Sequence, residues 1–237
     1  MHREWGMDEK HWLAMTQNAQ YMVFTLKSLG HPRTKIGQRK LRLFAVGCCR
    51  AAWHLLGEPC LRSAVEVAER FADDRANKGE LADAARRVDE EWFAGRLPTA
   101  DTLAEWSAAS FVRESCSPSA HVAAFSMTAI SPCPLSNEHG GEAVLCDLLR
   151  CVFGNPFQKP VFNKKWRTET VKTLATGIYE ERAFDRLPIL ADALEEAGCD
   201  DPAMLSHLRG PGPHCRGCWV VDLARGKSPT LLSDAPG

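Results

Sequence analysis

Apolar side chains return every third or fourth position through most of this 237-residue chain, a spacing that builds helices and little else. Residues 38–56 show it best. Leu41, Phe44, Ala45, Cys48, Ala52, Leu55 and Leu56 share one face, Arg39, Arg42 and Arg50 occupy another, and Gly57 is the stop. Pro59 then opens a stretch with Leu61, Ala64, Val65, Ala68 and Ala72 inward, as a first-turn proline can. Its other face carries Arg62, Glu66 and Arg70, four apart, as solvated ion pairs do. Residues 81–92, 100–114, 117–130, 142–153, 166–182 and 187–197 repeat the pattern, and shorter pieces lie at 8–15, 18–29, 202–208 and 218–224. Valine, isoleucine and threonine are too sparse for a sheet protein. No βαβ alternation and no repeat of 20–50 residues is visible. The expected fold is all-α, an irregular or orthogonal bundle of about nine to eleven helices.

Ser131 to Gly141, with two prolines and two glycines, reads as a loop. It divides the chain into an N-terminal helical region 1–130, the loop 131–141, a C-terminal helical region 142–227 and a flexible tail 228–237. A single domain over 8–227 is the alternative. The net charge of -1 gives no global pull toward nucleic acid or anionic membrane. The start of the chain lacks the apolar core of a signal peptide. No apolar run approaches the roughly 20 residues that span a bilayer. A soluble, cytoplasmic protein without a membrane partner is expected.

In that compartment the ten cysteines are thiols, not disulfides. Most sit inside helical patterns, where a thiol behaves as a small hydrophobe. The exception is the C-terminal segment, where Cys199 and His207 precede His214-Cys215-Arg216-Gly217-Cys218-Trp219 across the turn Gly210-Pro211-Gly212-Pro213. Zinc takes four thiolate or imidazole ligands in a tetrahedron, and a Cys-x-x-Cys turn converges two sulfurs on one ion. Cys215 and Cys218 have that spacing, and Gly217 permits the turn. Cys199, His207 and His214 are candidates to complete the shell. One alternative uses Cys199, His207, His214 and Cys218, with Cys215 spare. Another is a metal-free buried loop in which Cys218 and Trp219 are core and His214 caps a carbonyl. A redox dithiol is disfavoured because no strand precedes the hook, and Trp219 stands where haem attachment needs histidine.

Long stretches of the chain resemble a bacterial family with no assigned activity. The resemblance rests on Arg39-Lys40-Leu41-Arg42-Leu43-Phe44-Ala45, Cys48-Cys49-Arg50 and Trp53-His54-Leu55-Leu56. It continues in Ala64-Val65-Glu66-Val67-Ala68-Glu69-Arg70, Ile178-Tyr179-Glu180-Glu181-Arg182, Leu187-Pro188-Ile189-Leu190-Ala191-Asp192-Ala193-Leu194, and Pro213-His214 through Asp222. It covers most of the chain outside roughly 80–140 and implies a shared helical fold. It assigns no catalytic residue and no metal.

Two basic clusters raise nucleic acid as a further partner. Lys27 to Gly57 holds seven Lys/Arg and no acid, and Lys159, Lys164, Lys165, Arg167 and Lys172 flank Phe157, Phe162 and Trp166. Residues 58–115, with thirteen Asp/Glu against eight Lys/Arg, offer a simpler use for those charges within the molecule. Enzyme signatures are missing. Gly226-Lys227-Ser228 ends like a P-loop, but Val221 stands where its first glycine belongs. No nucleophile elbow, metalloprotease helix or dinucleotide fingerprint occurs. The sequence therefore points to a binding or regulatory module without catalysis, with a protein as its partner. A zinc-binding protein is the first alternative, and a nucleic-acid binder the second.

Overall fold

The computed structural model describes residues 7–95, 103–130, 133–135 and 140–227. Among them are twelve α-helices and no strand. They are α1 Glu9–Ala14, α2 Ala19–Ser28, α3 Lys35–Ala51, α4 Pro59–Ala72, α5 Lys78–Phe93, α6 Leu103–Ser115, α7 Ala120–Ala129, α8 Gly141–Phe153, α9 Glu169–Glu181, α10 Leu187–Glu196, α11 Pro202–Arg209 and α12 Trp219–Ala224. Ten of them have seven or more residues, within the expected nine to eleven, and α1 and α12 are short helices of six residues each. The tail 228–237 and part of the 131–141 loop lie outside the described residues.

Side-chain caps set most of the starts. The carboxylate of Asp8 accepts from the N–H of His11, Asn18 caps α2, and Thr34 caps α3 through the N–H of Gly37. Asn77 and Glu80 form a reciprocal capping box on α5. Such a cap contributes about 1 kcal/mol. Asp185 does not cap α10. Arg186 holds the N-cap position without a side-chain bond, and Pro188 lies in the first turn.

Helix α3 lies at the centre, packed on α4, α6, α7 and α8. It is buried on nearly every side, including Lys40, Arg42 and Gly47. Basic residues of this helix are used inside the molecule. Arg42 donates to the carbonyls of Ser115 and Pro118, Lys40 to that of Val152, and Arg39 to Asp73, Asp222 and Tyr179. Arg62 also departs from the expected i,i+4 pairing and donates to the carbonyl of Leu56.

Contacts cross the 131–141 boundary at several levels. Trp12, fully buried on α1, donates its indole N–H to the carbonyl of Gly154 at 2.8 Å. One cluster of buried apolar side chains runs from Met7 to Ala224. Burying a large apolar side chain contributes about 1.5–3 kcal/mol, so the cluster ties the two stretches strongly. No helix among the described residues is long and apolar enough to cross a membrane.

Candidate metal centre

The hook of the C-terminal segment seats against α3 because two glycines let it approach. A Cβ on Gly47 would lie 3.0 Å from the Cys215 sulfur, and one on Gly217 would lie 2.9 Å from Leu43 Cδ1. Gly217 also has φ +89°, a conformation that costs an L-residue strain. The turn closes with the N–H of Cys218 donating to the carbonyl of Cys215 at 3.1 Å. Cys218 then stands at the N-cap position of α12.

His207 arrives from the last turn of α11. That helix is started by Asp201, whose carboxylate accepts from the N–H groups of Ala203 and Met204. Met204 and Leu208 bury, and His207, partly buried, brings its Nε2 to 3.3 Å from the Cys218 sulfur. His214 follows the Gly212-Pro213 bend. Its Nε2 lies 3.2 Å from the carbonyl oxygen of Gly210, and its Nδ1 lies 3.8 Å from the sulfur of Cys151. A carbonyl only accepts, so the Nε2 position carries the proton and Nδ1 presents its lone pair. Metal-bound histidines are held by the same outer bond.

Cys151 comes from the last turn of α8 and is buried. One ligand atom from each of Cys151, His207, His214 and Cys218 falls within 4.8 Å of all the others. With zinc–sulfur and zinc–nitrogen bonds near 2.3 and 2.05 Å, tetrahedral donors stand about 3.5 Å apart. The 3.3 and 3.8 Å separations bracket that value.

Of the five residues singled out in the sequence, His207, His214 and Cys218 share this group. Cys215 borders it, buried against Gly47 of α3. Cys199 does not join. It follows α10, buried, with its N–H bonded to the carbonyl of Leu194. Cys151 takes the place sequence reasoning gave to Cys199. Its helical surroundings mark it as core, and nothing in the sequence singled it out from the other helical cysteines.

Cys151 and Cys218 are held toward the protonated thiol. The Cys215 side chain, together with burial, pushes the Cys151 thiol well above its usual range. Burial and the neighbouring Cys151 raise Cys218 to about 11. A redox dithiol needs the opposite shift. Cys49, once a possible contributor from α3, is raised to about 12 by burial and lies beside Ser115 and Cys116.

A second polar cluster adjoins the first. Arg216, inside the hook, donates to the carbonyls of Tyr179 and Glu180. Glu69, buried on α4, faces Arg50, Arg182 and Arg216. Asp73 and Asp222 face Arg39, and Arg75 holds Glu180 through two bonds. The guanidiniums of Arg39, Arg216 and Arg225 lie within 5.8 Å of the Tyr179 ring centre. These pairings absorb much of the first basic cluster. In the second, Lys159, Lys164 and Lys165 are exposed, while Arg167 donates to the carbonyl of Leu223.

No family model matches the chain, and searches of curated proteins and of solved structures find no similar protein.

Proposed function

We propose that this protein is a non-catalytic helical binding module stapled by one structural Zn²⁺ on Cys151, His207, His214 and Cys218. The observation that carries the reading is the convergence of those four donor atoms within 4.8 Å of one another. Two thiolates and two imidazoles form a borderline-soft set that suits zinc over magnesium or calcium. Four protein ligands fill a tetrahedral shell and leave no position for water, which separates a structural site from a hydrolytic one. The staple would fasten the end of α8 to α11 and α12, closing the chain from residue 151 to residue 218. A module of this kind acts through the surface it holds in shape, with another protein as the expected partner.

Elemental analysis of protein purified without chelator from zinc-replete cells tests the reading. About one zinc per chain is expected, by the four-ligand count. Cys151→Ser and Cys218→Ser should each lose most of it, while Cys215→Ser and Cys199→Ser should retain it. Absence of zinc from the unsubstituted protein contradicts the proposal. Turnover on a broad substrate panel would count against its non-catalytic part.

A further inference from the structure

A cleft opens beside the metal centre, between the segment following α8 and the start of α12. Its outer part encloses about 530 Å³, a size typical of small-molecule sites. Phe153, Val161 and Trp219 give it apolar walls. Phe153, Pro160 and Trp219 also bound a smaller space of about 20 Å³, whose far side is His31, Lys40 and Asp222. The small space shares Phe153, Asn155, Gln158, Pro160 and Trp219 with the cleft and adjoins its inner end, with room for the leading oxygen of a ligand head whose other atoms stay in the cleft.

That inner end holds polar groups the fold leaves unmatched. Lys40 is buried, donates once to the carbonyl of Val152 at 2.7 Å, and makes no ion pair among the described residues. Asp222 is already engaged by Arg39 at 2.6 Å. His31 is 4% exposed, and neither of its ring nitrogens has a hydrogen-bond partner. A buried polar group left this way costs about 1–3 kcal/mol. Burial lowers the His31 pKa to about 4, so its ring is neutral near pH 7 and offers one N–H.

We propose that this cleft binds a small monocarboxylate with an apolar body, its carboxylate between Lys40 Nζ and the His31 ring and its body along Phe153, Val161 and Trp219. Burial lowers the Lys40 pKa, and a carboxylate set against Nζ would favour its charged form while giving the imidazole N–H an acceptor. The inner end contains none of the four proposed metal ligands, and His207 alone of them lines the outer part.

Titration calorimetry on the full, as-purified chain with octanoate and with octan-1-ol tests it. Octanoate should bind with one-to-one stoichiometry and at least tenfold tighter than the alcohol. Lys40→Met should erase that preference. Val161 is 73% exposed, so Val161→Asp should fold normally and still weaken octanoate tenfold or more. No saturable octanoate binding up to millimolar concentration, equal binding of acid and alcohol, or unchanged octanoate affinity in folded Val161→Asp would each overturn the proposal.

Discussion

Two polar clusters meet in the hook around Arg216, and they are built on opposite principles. Around Tyr179, anions and cations alternate. Glu69, Asp73, Glu180 and Asp222 each face at least one arginine. Around Cys218, four electron-pair donors face one another, and no Lys or Arg belongs to the group. The first cluster completes itself from the chain. The second places donor beside donor, in the arrangement that a metal cation organises. Charge pairing and the proposed metal ligation are therefore adjacent but separable, and the segment from Cys215 to Ala224 contributes Cys218 to one and Arg216 and Asp222 to the other.

The largest test of that separation is chelation. If zinc is bound at about a thousand times its dissociation constant, stripping it removes roughly 4 kcal/mol of stability. For a chain of this length, that lowers the melting temperature by on the order of 10 °C. Calorimetry with and without chelator reads the shift, and superimposable scans would leave the donor cluster without a role in stability. Glu69→Gln attacks the other cluster. Glu69 is buried and faces three arginines, so breaking its pairing should cost about 3–5 kcal/mol. Zinc content should stay at one per chain, and simultaneous loss of zinc would merge the two clusters into one unit.

The third test probes the uncharged imidazole near both. His31 has a folded-state pKa of about 4, below its ordinary 6.5. Between those values the unfolded chain binds a proton that the folded chain refuses, so stability rises with pH across the window and falls on acidification. Between pH 6.5 and 4.5 His31 should cost about 2–3 kcal/mol. Denaturant melts of the unsubstituted protein and of His31→Leu at matched pH isolate this part, since any acid-driven loss of metal is common to both. Parallel curves would remove His31 from the explanation. The smallest effect is expected of Cys199→Ala, which should cost about 1 kcal/mol of packing and leave the zinc stoichiometry untouched. Lost zinc would return Cys199 to the shell.

The helices were readable because each needs only local information. Pro59 marked the first turn of α4, and the three-to-four spacing of apolar residues marked the rest. The use made of α3 was not readable. Its arginines have the spacing of a solvated face, but their partners Asp73, Ser115 and Asp222 come from three other helices or their ends. A residue pattern cannot distinguish water from a distant carboxylate. The same limit governs the donor cluster. His207, His214 and Cys218 lie within twelve residues of one another and stood out together, whereas Cys151 lies 63 residues before His214 in a helix whose pattern makes any cysteine look like core. Cys199 drew attention through proximity in sequence, but Gly198, at φ +86°, ends α10 in a turn that folds the thiol into the core away from the hook.

X-ray absorption at the zinc edge of the as-purified protein tests the central claim most directly. The four donors predict a first shell of about two sulfurs near 2.3 Å and two nitrogens near 2.0 Å, and an edge that largely disappears in Cys151→Ser. An edge too weak for one zinc per chain, or a shell of oxygen donors indifferent to Cys151→Ser, would contradict it.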